Sequence, residues 1–158
     1  MFKSIILTIL SLSLILSCSV KNPFSKKNPI IYLDCPKSLI LAPGSTIFID
    51  NSIISLNKDY EIECYYNEAK PNQVVFNIDY NVKLDPLDLE EKTYDFELWT
   101  FMTDKKETSK LLEFKFEKNI KFDLSEENIA NSTYGFQDQI ILDRSIYDEG
   151  LKIFLSLN

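Results

Sequence analysis

Val74-Val75-Phe76-Asn77-Ile78-Asp79-Tyr80-Asn81-Val82-Lys83-Leu84 alternates between apolar and polar side chains over most of its length. Val74, Phe76, Ile78, Tyr80, Val82 and Leu84 occupy one phase; Asn77, Asp79, Asn81 and Lys83 occupy the other, interrupted only by Val75. A period of two places the two sets on opposite faces of an extended strand, so this segment reads as a strand that buries one side.

The same period recurs on both sides of it. Upstream, Tyr60, Ile62, Cys64 and Tyr66 alternate with Glu61, Glu63 and Tyr65. Downstream come Tyr94, Phe96 and Leu98, then Leu112, Phe114 and Phe116 opposite Glu113, Lys115 and Glu117, continuing through Ile120 and Phe122. The C-terminal segment sets Leu151, Ile153, Leu155 and Leu157 against Lys152, Phe154 and Ser156. Turn chemistry falls between these runs: Ala69-Lys70-Pro71-Asn72, the hairpin-like Thr103 to Glu107, and Tyr147-Asp148-Glu149-Gly150. Before residue 59 the apolar runs are shorter, Ile30 to Leu33, Leu39 to Leu41, Ile47 to Ile49 and Ile53 to Leu56.

No segment keeps a 3.6-residue period. Ser125 to Ala130 is at most one helical turn capped by Ser125. Strands buried on one side need a second sheet to cover them. The expectation is therefore an all-β domain over residues 30–158, a single immunoglobulin-like two-sheet sandwich of about seven strands, with a small open barrel as the alternative.

Ahead of that domain the chain has a different character. Met1-Phe2-Lys3 supplies one positive charge, and Ile5 to Leu16 is an apolar run too short to cross a bilayer. Ile15-Leu16-Ser17-Cys18 closes it and looks like a lipobox, which makes residues 1–17 a signal helix and Cys18 the acylated first residue of the mature chain. Leu16 departs from the small residues usual at that place. A conventional signal peptide and an uncleaved anchor are the alternatives. Residues 18–29, with Pro23, Pro29 and three lysines, read as a lipidated tether. In Gram-negative lipoproteins an Asp at the place of Ser19 signals inner-membrane retention, so by that resemblance alone Ser19 favours the outer membrane, facing the periplasm.

Composition narrows the function classes. The chain carries 17 basic against 24 acidic residues, a net charge of −7, which argues against nucleic acid as a partner. It has no histidine, removing the commonest general base and the usual zinc ligand. Cys35 and Cys64 form an even pair suited to a disulfide in an oxidising compartment, with two buried thiols as the alternative. No cofactor or metal is expected. The acidic Asp85 to Glu91 run is a calcium candidate only by its oxygen ligands, since it has neither EF-hand spacing nor a glycine turn. Ser45, Ser55 and Ser109 have lysines nearby in the chain but form no Ser-Lys motif, and Asn131-Ser132-Thr133 matches the glycosylation pattern only formally.

One departure from binary patterning stands out. Trp99 and Phe101 lie in the phase of Asp95 and Glu97, and Tyr65, Val75 and Phe154 also lie in the polar phase of their strands. If these sides coincide in space, they make an apolar patch rimmed by acid and suited to a partner protein; otherwise they are covered by a loop or by the first segment.

The lipobox at Cys18, Asp34-Cys35-Pro36 with Leu39 to Pro43, Glu63-Cys64-Tyr65 and the Val74 to Leu84 strand together resemble a group of small alphaproteobacterial envelope lipoproteins without assigned function. The Tyr94 to Asp104 strand, the segment ending Gln139 to Leu142 and the terminal Leu151 to Leu155 fit the same pattern. The resemblance implies a periplasm-facing single domain and carries no catalytic residues. The resulting expectation is a non-catalytic, membrane-anchored interaction module held to the bilayer through acylated Cys18 and binding an envelope protein. A carrier holding a lipid or other apolar ligand between its sheets is the alternative, motivated by eleven phenylalanines, eight tyrosines and one tryptophan.

Overall fold

The computed structural model describes residues 28–106, 110–130 and 132–158. The expected signal segment, Cys18 and most of the expected tether lie outside the described residues, as do Ser109 and Asn131. Within them the chain forms two packed sheets around one core, a β-sandwich.

Ten strands are present among the described residues, more than the seven or so expected, because each short run before residue 59 makes a strand of its own. These are β1 (Ile30–Leu33), β2 (Lys37–Ile40), β3 (Thr46–Ile49) and β4 (Ser52–Leu56). The longer ones are β5 (Glu61–Asn67), β6 (Gln73–Pro86), β7 (Lys92–Asp104), β8 (Lys110–Phe122), β9 (Thr133–Asp143) and β10 (Leu151–Leu157). Two single-turn helices, α1 (Glu126–Ala130) and α2 (Arg144–Asp148), sit in the connections on either side of β9. In α1 the Ser125 hydroxyl accepts from the Asn128 N–H at 3.3 Å, the cap its sequence announces.

β6 organises the larger sheet. One of its edges pairs with β9 along its length, and the other takes β5 on its first half and β4 on its second. β1 then flanks β5, and β3 flanks β4 through a two-residue hairpin whose Asp50 and Asn51 both have positive φ. Asp and Asn tolerate that conformation, which matches the strand twist. The smaller sheet runs β2-β10-β7-β8, with β2 parallel to β10 and the other pairs antiparallel.

The alternation read from the sequence is the alternation of burial. Val74, Phe76, Ile78, Val82 and Leu84 of β6 are fully buried, facing Leu98, Met102, Ile120, Ile153 and Leu155 in the same core. Each such side chain stabilises the fold by roughly 1.5–3 kcal/mol on burial. Two hydroxyl contacts tie sheet to sheet: Ser52 donates to the Tyr94 hydroxyl at 3.1 Å and Tyr60 to the Ser38 hydroxyl at 3.0 Å.

Cys35 and Cys64 are bonded, with Cα atoms 5.3 Å apart and a sequence separation of 29. Leu33 already stands opposite Cys64 in the β1–β5 ladder. The bridge therefore clamps the chain where it leaves one sheet to enter β2 in the other.

The connections give the sandwich two distinct ends. At one lie the β5–β6 and β7–β8 hairpins, α2 and the start of β1, where the Pro29 carbonyl accepts from the Glu68 N–H at 3.2 Å. At the other lie the β3–β4 hairpin, the connection 87–91 and α1. The chain therefore enters β1 from Pro29 at the first of these ends.

Candidate functional site

The five outward residues singled out in the sequence divide between the two outer faces of the sandwich. Tyr65 and Val75 are direct neighbours on the larger sheet, whereas Phe101 and Phe154 are direct neighbours on the smaller one, beside Trp99. A single patch containing all five is thus ruled out. The phase of each residue was right; strand-to-sheet assignment, which binary patterning does not encode, separates them.

Register turns each set into an ordered row. On the larger sheet Tyr32, Tyr65, Val75 and Ile141 stand opposite one another across β1, β5, β6 and β9. Tyr32 and Ile141 are 67% and 53% exposed, and the Tyr32 and Tyr65 rings lie 6.0 Å apart. The next rows are polar: Gln139 donates to Asn77 at 2.8 Å and Gln137 to Asp79 at 2.9 Å.

On the smaller sheet Leu39, Phe154 and Phe101 stand in one row across β2, β10 and β7. Leu39 is 55% exposed. Trp99 is half-buried and meets Phe101 edge-on, with ring centres 5.8 Å apart.

Its indole is held from several sides. The Trp99 ring N–H donates to Glu97 Oε2, which also accepts from the Asn158 amide at 3.2 Å, and Lys115 Nζ sits 4.0 Å above the ring. The Trp99 hydrogen bond, followed by that of Asn158 and the charge of Lys115, lowers the Glu97 carboxyl pKa. Lys115 also pairs with Glu113 at 3.4 Å. The result is a fixed aromatic cluster with an acidic and basic rim, of the kind that loses little conformational freedom on contact with another surface.

A second polar constellation escaped the sequence reading. Lys118 and Asp138 each occupy the apolar phase of their strand, Lys118 between Phe116 and Ile120 two positions either way, Asp138 between Phe136 and Ile140. Lys118 Nζ contacts Asp138 Oδ1, and the Tyr80 hydroxyl donates to Asp138 Oδ2 at 2.9 Å. The Phe136 ring stacks on Tyr80 at 5.7 Å and meets Phe96 edge-on at 5.6 Å. Burial, then the Asp138 charge and hydrogen bond, drive the Tyr80 pKa upward and keep its proton in place. A charged residue in the apolar phase of two strands was the available signal. The pair laces β8 to β9, the terminal strands of the two sheets on the same side of the sandwich.

The remaining candidates have ordinary structural partners. Ser45 donates to the Ala42 carbonyl and Ser55 accepts from Thr46. Asp85 pairs with Lys83 at 2.7 Å, and no three His, Cys, Asp or Glu side chains gather as a metal-binding set among the described residues. A groove of about 580 Å³ is lined by Asp59, Glu61, Asp79, Asn81 and Gln137 with Tyr60, Tyr80 and Phe136, a wall that mixes polar and apolar surface. No protein-family model, curated protein or solved structure matches the chain.

Proposed function

We propose that the protein is a lipid-anchored envelope module that performs no chemistry of its own and presents the outer face of its smaller sheet to a partner protein. The observation that carries this reading is the in-register row Leu39, Phe154 and Phe101 with Trp99 fixed beside it by Glu97 and Lys115. Aromatic anchors held in place inside a charged rim are the usual centre of a protein interface. Further support comes from the lipobox-like Ile15 to Cys18, the proline-containing tether and the disulfide, which belongs to an oxidising compartment.

Acylation at Cys18 holds the domain to the bilayer, on the inner leaflet of the outer membrane and facing the periplasm. Two measurements test the proposal. The mature chain should begin at a diacylglyceryl-modified Cys18, and Cys18→Ser should lose both processing and membrane fractionation. Crosslinking in intact cells should capture a defined protein; recovery of monomer and lipid alone overturns the partner reading.

A further inference from the structure

We infer that one end of the larger sheet's outer face rests on the bilayer that holds the anchor, seating an apolar patch of Ile30, Tyr32, Tyr65, Val75 and Ile141 in the headgroup layer. The inference rests on the lipid-anchor reading above and adds to it an orientation.

Tyr32, Tyr65, Val75 and Ile141 stand in one row across four strands, and Ile30 lies two residues from Tyr32 on the same face of β1. Ile30, like Tyr32 and Ile141, is more than half exposed. Tyrosine joins an apolar ring to a polar tip, which suits the boundary between lipid and water. The next row, Glu63, Asn77 and Gln139, lies two residues further along the strands, about 7 Å away. Apolar surfaces that lie on bilayers sink about 5–10 Å into the headgroup boundary, so a tilted face seats the first row and leaves Glu63 in water. Around the patch lie Glu68 and Lys70 of the β5–β6 hairpin and Asp143 and Arg144 where β9 meets α2, two charges of each sign. Charge therefore neither drives nor forbids the contact, and apolar burial decides it.

Position argues for lipid as what covers the patch. The chain enters β1 at Ile30, inside the patch itself, and ten residues, 19–28, separate Pro29 from Cys18. At no more than about 3.5 Å per residue they keep Pro29 within roughly 40 Å of the anchor. A short tether of this kind supplies an effective concentration in the millimolar range, so a patch whose own affinity for lipid is only about millimolar is seated about half the time. Neither a second copy nor a partner protein is held beside the patch in this way. The contact also turns the Leu39, Phe154 and Phe101 row, on the opposite face of the sandwich, away from the bilayer and toward a partner.

The test uses the full acylated chain, a few copies per vesicle, in phosphatidylcholine carrying a nitroxide-labelled lipid that quenches only nearby fluorophores. With Cys18 acylated and Cys35 bonded to Cys64, an added cysteine is the only reactive thiol. A fluorophore at Gln73→Cys, two residues from Val75 on the same face, should lose roughly half its emission or more, the share set by a contact seated about half the time. One at Lys121→Cys, on the outer face of the smaller sheet, should lose none. The double variant Tyr32→Ser/Ile141→Ser should restore emission at Gln73→Cys, whereas high salt or added phosphatidylglycerol should leave the quenching in place. Flotation without quenching at Gln73→Cys, or with equal quenching at both positions, overturns the inference and leaves the anchor standing. A chain that floats with no vesicle refutes the anchor and the inference with it. Quenching that salt removes, or that survives both serines, overturns the apolar contact. Energy transfer between chains labelled at Gln73→Cys, without quenching, names a second copy as the occupant and overturns the inference as well.

Discussion

Replacing Lys118 with Met should cost the fold about 3 kcal/mol, most of it through Asp138. That carboxylate is 8% exposed and has two partners, Lys118 and the Tyr80 hydroxyl. Removing one member of a buried ion pair typically costs about 3–5 kcal/mol, since the other charge is left in a poorly solvated site. The lower end applies here because the Lys118 side chain is 17% exposed and the Tyr80 hydrogen bond survives. Against a total stability of roughly 5–15 kcal/mol this is a large fraction, worth a fall of about 10 °C in Tm for a domain of this size. The double variant Lys118→Met/Asp138→Leu should recover most of the loss, because two apolar side chains replace two charges. Urea unfolding of the four proteins of the double-mutant cycle, with the disulfide intact, measures the coupling. A loss under 1 kcal/mol for Lys118→Met, with additive effects in the double variant, would refute the reasoning. The double variant carries a second expectation: inward charges on terminal strands discourage edge-to-edge pairing, so it should self-associate more readily despite its restored stability.

Three further outcomes follow from buried groups. Stability should decline above about pH 10: Tyr80 keeps its proton in the fold while its unfolded counterpart ionises near 10, so its contribution is complete below that pH and is lost as pH rises towards the folded value. Tyr80→Phe should flatten that alkaline limb in pH-dependent urea melts without abolishing it, since Tyr134 and Tyr147 are shifted upward too, chiefly by burial; an unchanged limb would exclude Tyr80 as a cause. Thr100 is fully buried and its hydroxyl has no hydrogen-bond partner among the described residues, so Thr100→Val should raise stability by about 1 kcal/mol in urea melts, and a loss would mean the hydroxyl is satisfied after all. Cys35→Ser/Cys64→Ser should lower stability by about 3–4 kcal/mol, the chain-entropy value for a closed loop of this length; a change below 1 kcal/mol would make the bridge incidental to stability.

Local patterning carried the long strands. Val74 to Leu84, Leu112 to Phe122 and Leu151 to Leu157 declare themselves because the side-chain period of a strand is two and the core takes one phase only. Partner choice is non-local, and there the sequence is silent. Nothing in Lys37 to Ile40 says that it crosses to the second sheet and runs parallel to β10, nor that β4 and β5 share one edge of β6. The outward aromatics show the same division. Their phase was legible, yet Tyr65 and Val75 belong to one face and Trp99, Phe101 and Phe154 to the other. Leu39 and Ile141 complete the two rows only through register. Lys118 and Asp138 each break an apolar phase in the sequence, but only the meeting of β8 and β9 makes them a pair.

Site-specific photocrosslinking in intact cells tests most directly whether the smaller sheet is the recognition surface. A crosslinking residue at Phe101, in the Leu39–Phe154 row, should yield a discrete protein adduct, and one at Asn77, on the polar rows of the opposite face, should yield none. Adducts of equal strength from both positions, or from Asn77 alone, would contradict the assignment of that face.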